Sequence, residues 1–254
     1  MLLHMIKPKI QNTYLWLFIF LMMAKKYRHL FFDLDKTLWD FEKSAKQAFE
    51  EMFETHNLGD FGIENWEEFH SRYEVHNHEL WDLYREGKIE KETLMWKRFS
   101  DTLEEYGIDN FELANNLGKT YVTISPRKVN LYPYALEILE YLHPKYQMHI
   151  ITNGFQEVQN IKLETSGMDQ YFKTLITSEK AGVKKPDPAI FEYAMQKTGA
   201  IADKSLMIGD DYEVDILGAK NVGMDQAFFD PERQFKINGS TYKISSLAEL
   251  KEFL

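Results

Sequence analysis

The chain has 254 residues, enough to bury a full core in one large unit or two modest ones. Its 44% hydrophobic and 28% charged residues are the proportions of a soluble globular protein. A formal net charge of −10 argues against a nucleic-acid polymer as partner, because nothing would neutralise its phosphates. Cysteine is absent, which removes disulfides, thiolate catalysis and cysteine-ligated zinc and fits a cytoplasmic setting.

At the N-terminus, Lys7 and Lys9 precede an apolar run from Tyr14 to Ala24, followed by Lys25-Lys26. As a helix this run would reach only about half of a ~30 Å hydrocarbon core, so no stable membrane insertion is expected. Met22-Met23-Ala24-Lys25-Lys26 is not a small-x-small cleavage site, whereas Met23 followed by Ala-Lys-Lys-Tyr-Arg-His reads as a start. Residues 1–26 are therefore expected to be an N-terminal extension or tail.

Leu30-Phe31-Phe32 reads as a strand that runs straight into Asp33-Leu34-Asp35-Lys36-Thr37. Alternate strand residues point the same way, so Asp33 and Asp35 can face one pocket where the strand ends. Two carboxylates brought together repel unless a cation or a shared proton offsets the repulsion.

After Thr37 the period changes. Four apolar sets recur at helical spacing: Phe41, Ala45, Ala48, Phe49, Met52 and Phe53; Trp66, Phe69, Tyr73, Leu80 and Tyr84; Leu94, Phe99, Leu103 and Tyr106; Leu113, Leu117, Tyr121 and Ile124. Gly59, Gly62, Gly87 and Gly107 punctuate them. Residues 41–128 thus read as an all-helical insert.

Beyond Pro126 and Pro133, helices and strands alternate. Ala135 to Leu142 reads as a helix, Met148 to Ile151 as a strand ending at Thr152-Asn153-Gly154, and Leu175 to Thr177 as a strand. Pro188 to Thr198 reads as a helix opened by proline. Leu206 to Ile208 is a strand ending in Gly209-Asp210-Asp211, Glu213 to Asn221 a helix, and Ala227 to Phe229 another strand. Apolar runs alternating with helices predict an α/β fold, a parallel sheet covered on both faces, with its ligand site beyond the carboxyl ends of the strands.

The polar clusters fall at those ends: Asp33, Asp35 and Thr37; Thr152-Asn153-Gly154; Lys184-Lys185-Pro186; Asp210, Asp211 and Asp215. Each alone has a plain structural explanation, as a helix cap, a surface lysine or a turn. Together they supply acidic groups for a hard cation, a hydroxyl and backbone N–H groups for phosphate oxygens, and a lysine to balance charge.

The order Asp-x-Asp-x-Thr, Thr-Asn-Gly, Lys-Pro and Gly-Asp-Asp-x-x-x-Asp resembles the haloacid dehalogenase (HAD) superfamily of phosphohydrolases, from about Tyr27 to the C-terminus. The resemblance implies a Rossmann-like catalytic core at 27–40 and 129–254, with 41–128 as a helical cap of the family's first type. It implies Asp33 as nucleophile, forming an aspartyl-phosphate. Asp35 would be the general acid and base, its carboxyl raised by crowding against Asp33. Thr152 and Lys185 would hold phosphate, with Asn153, Gly154 and Thr37 beside them. Asp33, the main-chain carbonyl of Asp35 and Asp210 would ligate Mg²⁺; Asp215 would orient Lys185 or a metal-bound water, and Asp211 is a weaker ligand candidate.

Within the superfamily, Ile151-Thr152-Asn153-Gly154-Phe155-Gln156 and the cap phrase Asn77-x-x-Leu80-Trp81-x-x-Tyr84-x-x-Gly87-x-Ile89 resemble the YjjG-type pyrimidine 5′-nucleotidases. That implies a small phosphorylated metabolite, a nucleoside monophosphate, as substrate of a monomer or dimer. Trp81 and Tyr84 are candidates to stack on a base, and Asn77 and Arg98 to contact substrate, although aromatics at helical spacing more often pack a core. The competing readings are a sugar-phosphate phosphatase, a β-phosphoglucomutase-like phosphotransferase and a non-catalytic HAD-fold binding protein. Asp35 argues against dehalogenation, since dehalogenases of this fold lack that second acid.

Overall fold

The computed structural model describes residues 26–236 and 239–254, so nearly all of the expected N-terminal extension lies outside the described residues. Six strands form one parallel sheet: β1 (His29–Phe32), β2 (Gln147–Thr152), β3 (Thr174–Thr177), β4 (Ser205–Gly209), β5 (Asp225–Phe229) and β6 (Tyr242–Ile244). Their order is β3-β2-β1-β4-β5-β6. After β3 the chain returns to the far side of β1, which makes the β1/β4 boundary the topological switch where such sheets bind ligands. There Phe32 lies level with Ile150 on one side and Ile208 on the other.

Every residue of β1 is buried, so the strand is a continuous apolar run rather than an alternation. Leu30 and Phe32 point to one face, against Leu139 and Leu142 of a helix over Ala135–Leu142 and against Leu247. Phe31 points to the other, against Ile190, Phe191 and Ala194 of the helix over Pro188–Thr198.

Between β1 and β2 stand the four helices of the cap: α1 (Phe41–Thr55), α2 (Trp66–Arg85), α3 (Lys91–Glu104) and α4 (Phe111–Ile124). Side chains of Asp40, Asn65 and Asn110 accept from the main chain of Lys43, Glu68 and Leu113, which satisfies orphan donors at three helix starts. Phe49 sits at the centre of a separate core, its ring in contact distance of those of Phe69, Tyr73, Phe99 and Tyr121. A smaller cluster, Leu80, Tyr84 and Leu94 against Phe155, fastens the cap to the sheet domain. Beside it Lys91 reaches Glu157 at 2.8 Å and Glu179 at 2.7 Å.

The remaining helices are α5 (Ala135–Leu142), α6 (Gln156–Ser166), α7 (Ser178–Ala181), α8 (Pro188–Thr198) and α9 (Gly218–Asn221). The helix expected over Glu213–Asn221 is divided. Tyr212–Leu217 forms a π-helical turn, in which the Ile216 N–H donates to the Asp211 carbonyl five residues back, and only then does α9 follow. Such widened turns cluster at functional sites, and this one carries Asp215. Strand β6 was not expected, being too short to display a period. Among the described residues no helix is long and apolar enough to cross a membrane.

Candidate active site

The Asp33 N–H donates to the Ile208 carbonyl at 2.8 Å, extending the ladder one residue past β1. The chain then closes a tight turn. Leu38 and Trp39 N–H groups both donate to the Leu34 carbonyl, with Lys36 at φ 61°. Leu34, Leu38 and Trp39 are fully buried and anchor the turn from below. The polar residues between them are thereby held at the end of the sheet.

Lys185 is the hub of the site. Its Nζ lies 2.6 Å from Asp33 Oδ1 and 2.6 Å from Asp215 Oδ1, with 2% of the lysine exposed. Asn153 fixes the lysine's main chain from both sides, Nδ2 donating to the Lys185 carbonyl at 2.9 Å and Oδ1 accepting from its N–H at 2.8 Å. Expected among the phosphate contacts, Asn153 therefore spends its amide on positioning Lys185. Burial alone would lower the ammonium's pKa, but Asp215 and Asp33 outweigh it and hold it above its ordinary value. Burial raises the Asp33 carboxyl to about 7, with Lys185 opposing and Asp215 and Asp35 adding to the rise.

Asp35 turns away from this pair. Its carboxylate accepts from Gln159 Nε2 at 2.8 Å and is ion-paired with Lys162, both on α6. Asp33 and Asp35 are each paired with a separate lysine, Lys185 and Lys162. Gln159 also donates to Thr152 Oγ1 at 2.8 Å, and the same oxygen accepts from the Gly154 N–H at 3.0 Å. A Cβ on Gly154 would fall 2.1 Å from the Gln159 amide nitrogen, so only glycine admits this contact. Gln159 and Lys162 were missed in the sequence. Their signal was two polar residues three apart on the helix face that also buries Leu163.

Thr37, also expected near phosphate, donates Oγ1 to Asp210 Oδ1 at 2.9 Å and so orients an acid instead. Ligand atoms of Asp33, Asp210 and Asp215 lie within 4.8 Å of one another. Asp211 is outside this cluster. Its Oδ1 accepts from the Glu213 and Val214 N–H groups and caps the π-turn. Burial followed by the charges of Asp33 and Asp215 raises Asp210 well above the carboxylate range, and burial raises Asp215 against the opposition of Lys185. Hard oxygen donors held close enough to raise one another's pKa are a fitting set for a divalent cation.

These groups form the floor of a cavity of about 580 Å³, within the range of small-molecule sites. Asn77, Trp81, Arg98 and Tyr121 form part of its cap-side wall. Trp81 stacks on Phe155, with ring centres 5.6 Å apart, and still reaches the cavity. Tyr84 does not line it. The phenol is 6% exposed, packs edge-on to Phe155 and lies under Lys184, so its place is in the joint between cap and core.

A family model described as haloacid dehalogenase-like hydrolase matches residues 27–223. The pyrimidine 5′-nucleotidase YjjG of Escherichia coli is 31% identical over 233 residues, covering 90% of this chain and 98% of that protein. PynA of Streptococcus pneumoniae, also named a pyrimidine 5′-nucleotidase, is 29% identical over 90% of this chain and 95% of its own length. A crystal structure of the HAD-hydrolase YfnB of Bacillus subtilis, described as bound to magnesium and as revealing interdomain movement, superposes with a TM-score of 0.81. It is 30% identical and covers 90% of this chain and 98% of that one. The chain belongs to the haloacid dehalogenase-like hydrolases.

Proposed function

We propose that the protein is a Mg²⁺-dependent phosphomonoester hydrolase that works through an aspartyl-phosphate on Asp33 and acts on pyrimidine nucleoside monophosphates. The observation that carries the chemistry is the Asp33–Lys185–Asp215 chain at the β1/β4 switch. Lys185 holds Oδ1 of Asp33, which leaves the other carboxylate oxygen for in-line attack on phosphorus. Bound among Asp33, Asp210 and Asp215, Mg²⁺ would supply charge neutralisation for phosphoryl transfer. Thr152 and Lys185 hold the non-bridging oxygens in this reading. Asp35 gives a proton to the leaving oxygen, then takes one from the water that attacks the aspartyl-phosphate and releases phosphate. The cavity volume and its cap wall support a leaving group of nucleoside size, as do the names of YjjG and PynA.

Intact mass spectrometry of protein pulsed with UMP tests the covalent step. One phosphoryl adduct is expected on the unaltered chain and none on Asp33→Asn, whose turnover should fall by on the order of 10⁴-fold or more. Turnover by Asp33→Asn at the original rate would overturn the assignment.

A further inference from the structure

Arg98, on α3, is 2% exposed and lines the cavity from the cap side. Its Nη1 donates to Asn77 Oδ1 at 3.0 Å, and the aromatic rings of Tyr73, Phe99 and Tyr121 surround the guanidinium at 5.1–5.7 Å. Among the described residues no carboxylate pairs with it. Nε is buried and, among the described residues, has no hydrogen-bond partner. A guanidinium cannot shed its charge, and one buried without an anion or a full set of acceptors is costly. The surrounding ring faces recover part of that cost and fix the plane of the group. They offer no acceptor to Nε.

Asn77 is constrained in the same sense. Its Oδ1 accepts from both Arg98 Nη1 and the Tyr73 hydroxyl at 3.1 Å, which settles the amide orientation and makes Nδ2 a second donor on the cavity wall. Arg98 and Asn77 thus line, from the cap side, the same cavity that holds Asp33 on its floor.

We infer that Arg98 and Asn77 form a subsite that reads a carbonyl oxygen on the base of a nucleoside monophosphate. This rests on the nucleotidase reading and deepens it. Two neighbouring N–H groups on one edge of a guanidinium match the two lone pairs of a carbonyl oxygen, as uracil and thymine offer. An adenine amino group would meet donors with a donor. A second anion on the leaving group is disfavoured because acidic side chains outnumber basic ones around the cavity. Arg98 is thus a specificity-determining residue, remote from the phosphoryl transfer itself.

The test compares kcat/KM for UMP, AMP and ribose 5-phosphate in the unaltered chain, Arg98→Met and Asn77→Asp, with inhibition by uridine and by inorganic phosphate measured alongside. Asn77→Asp gives Arg98 an ionic partner inside the cap and removes the Nδ2 donor without leaving a cavity. Both variants should lower the UMP to ribose 5-phosphate ratio at least tenfold, mainly through KM, and weaken inhibition by uridine more than inhibition by phosphate. An unchanged ratio in a folded variant, or an equal fall for UMP and ribose 5-phosphate, would overturn the inference while leaving the nucleotidase reading in place. If the unaltered chain already hydrolyses ribose 5-phosphate as well as UMP, the nucleotidase reading fails and the subsite falls with it.

Discussion

The two walls of the cavity solve opposite problems with the same device, a buried cation. On the core side Lys185 is satisfied within the protein, between Asp33 and Asp215, and its main chain is clamped by Asn153. On the cap side Arg98 is left short of acceptors, with Asn77 alone among the described residues bonded to its guanidinium. Lys185 is fixed in place before any substrate arrives, and preorganised groups need no rearrangement when a reaction occurs. A site that chooses among leaving groups keeps valences open for the ligand to fill.

The largest expected effect comes from breaking the balanced side. Lys185→Met would leave two buried acids without their cation, so activity should be lost and unfolding by denaturant should show destabilisation of about 3–5 kcal/mol. A variant as stable and as active as the parent would show that the chain of charges is not what holds the floor together.

The next effect separates the acids. Asp210→Ala should weaken Mg²⁺ binding, read by titrating activity in chelator-buffered metal, by tenfold or more. Asp211→Ala should leave that titration nearly unchanged and cost only the helix cap, about 1 kcal/mol of stability. The opposite ranking would make Asp211 the ligand and Asp210 the structural acid.

On the cap side, Tyr84→Ala should cost about 2–4 kcal/mol through lost packing in the joint, with the ranking of substrates unchanged. Trp81→Ala should instead raise KM for nucleotides severalfold, because its ring reaches the cavity. Equal effects on substrate ranking would erase the distinction between joint and wall.

This pair shows where the sequence was legible. Three of the four polar clusters could be placed at strand ends from chain order alone, since β1, β2 and β4 announce themselves as apolar runs and a parallel sheet gathers their carboxyl ends. The four cap helices were equally plain in their spacing. What could not be read was the direction of individual side chains within a turn. Thr37 donates to Asp210, and Asp35 faces α6 because the turn closed by Leu34 and Trp39 sends it there. Trp81 and Tyr84 stand three apart on one helix face and still divide between cavity and joint, a difference set by how the cap docks on Phe155. Gln159 and Lys162 escaped notice because a helix face gives no sign of which strand end it will overhang.

The smallest effect concerns the other end of the sheet, where the buried His29 and His149 rings stack. Burial, with the charges of His29 and Lys173 adding, lowers His149 to about 4. The unfolded chain takes up a proton near pH 6.5 that the folded ring accepts only near 4, so this contribution to stability is present above pH 6.5 and is lost as pH falls toward 4. His149→Phe should flatten the loss of stability between pH 7 and pH 5 by about 1 kcal/mol in urea unfolding, with no change in the Mg²⁺ titration. A Mg²⁺ titration that shifts with this substitution would show that the two ends of the sheet are coupled.

The division of labour between a floor with its lysine already paired and an open cap wall is tested most directly by one comparison, kcat/KM for UMP and dTMP against glucose 1-phosphate and pyrophosphate under the same Mg²⁺. The account predicts that a pyrimidine monophosphate is hydrolysed with the highest kcat/KM. A wide margin in favour of glucose 1-phosphate or pyrophosphate would contradict it, leaving the floor to a phosphohydrolase whose cap reads something other than a base.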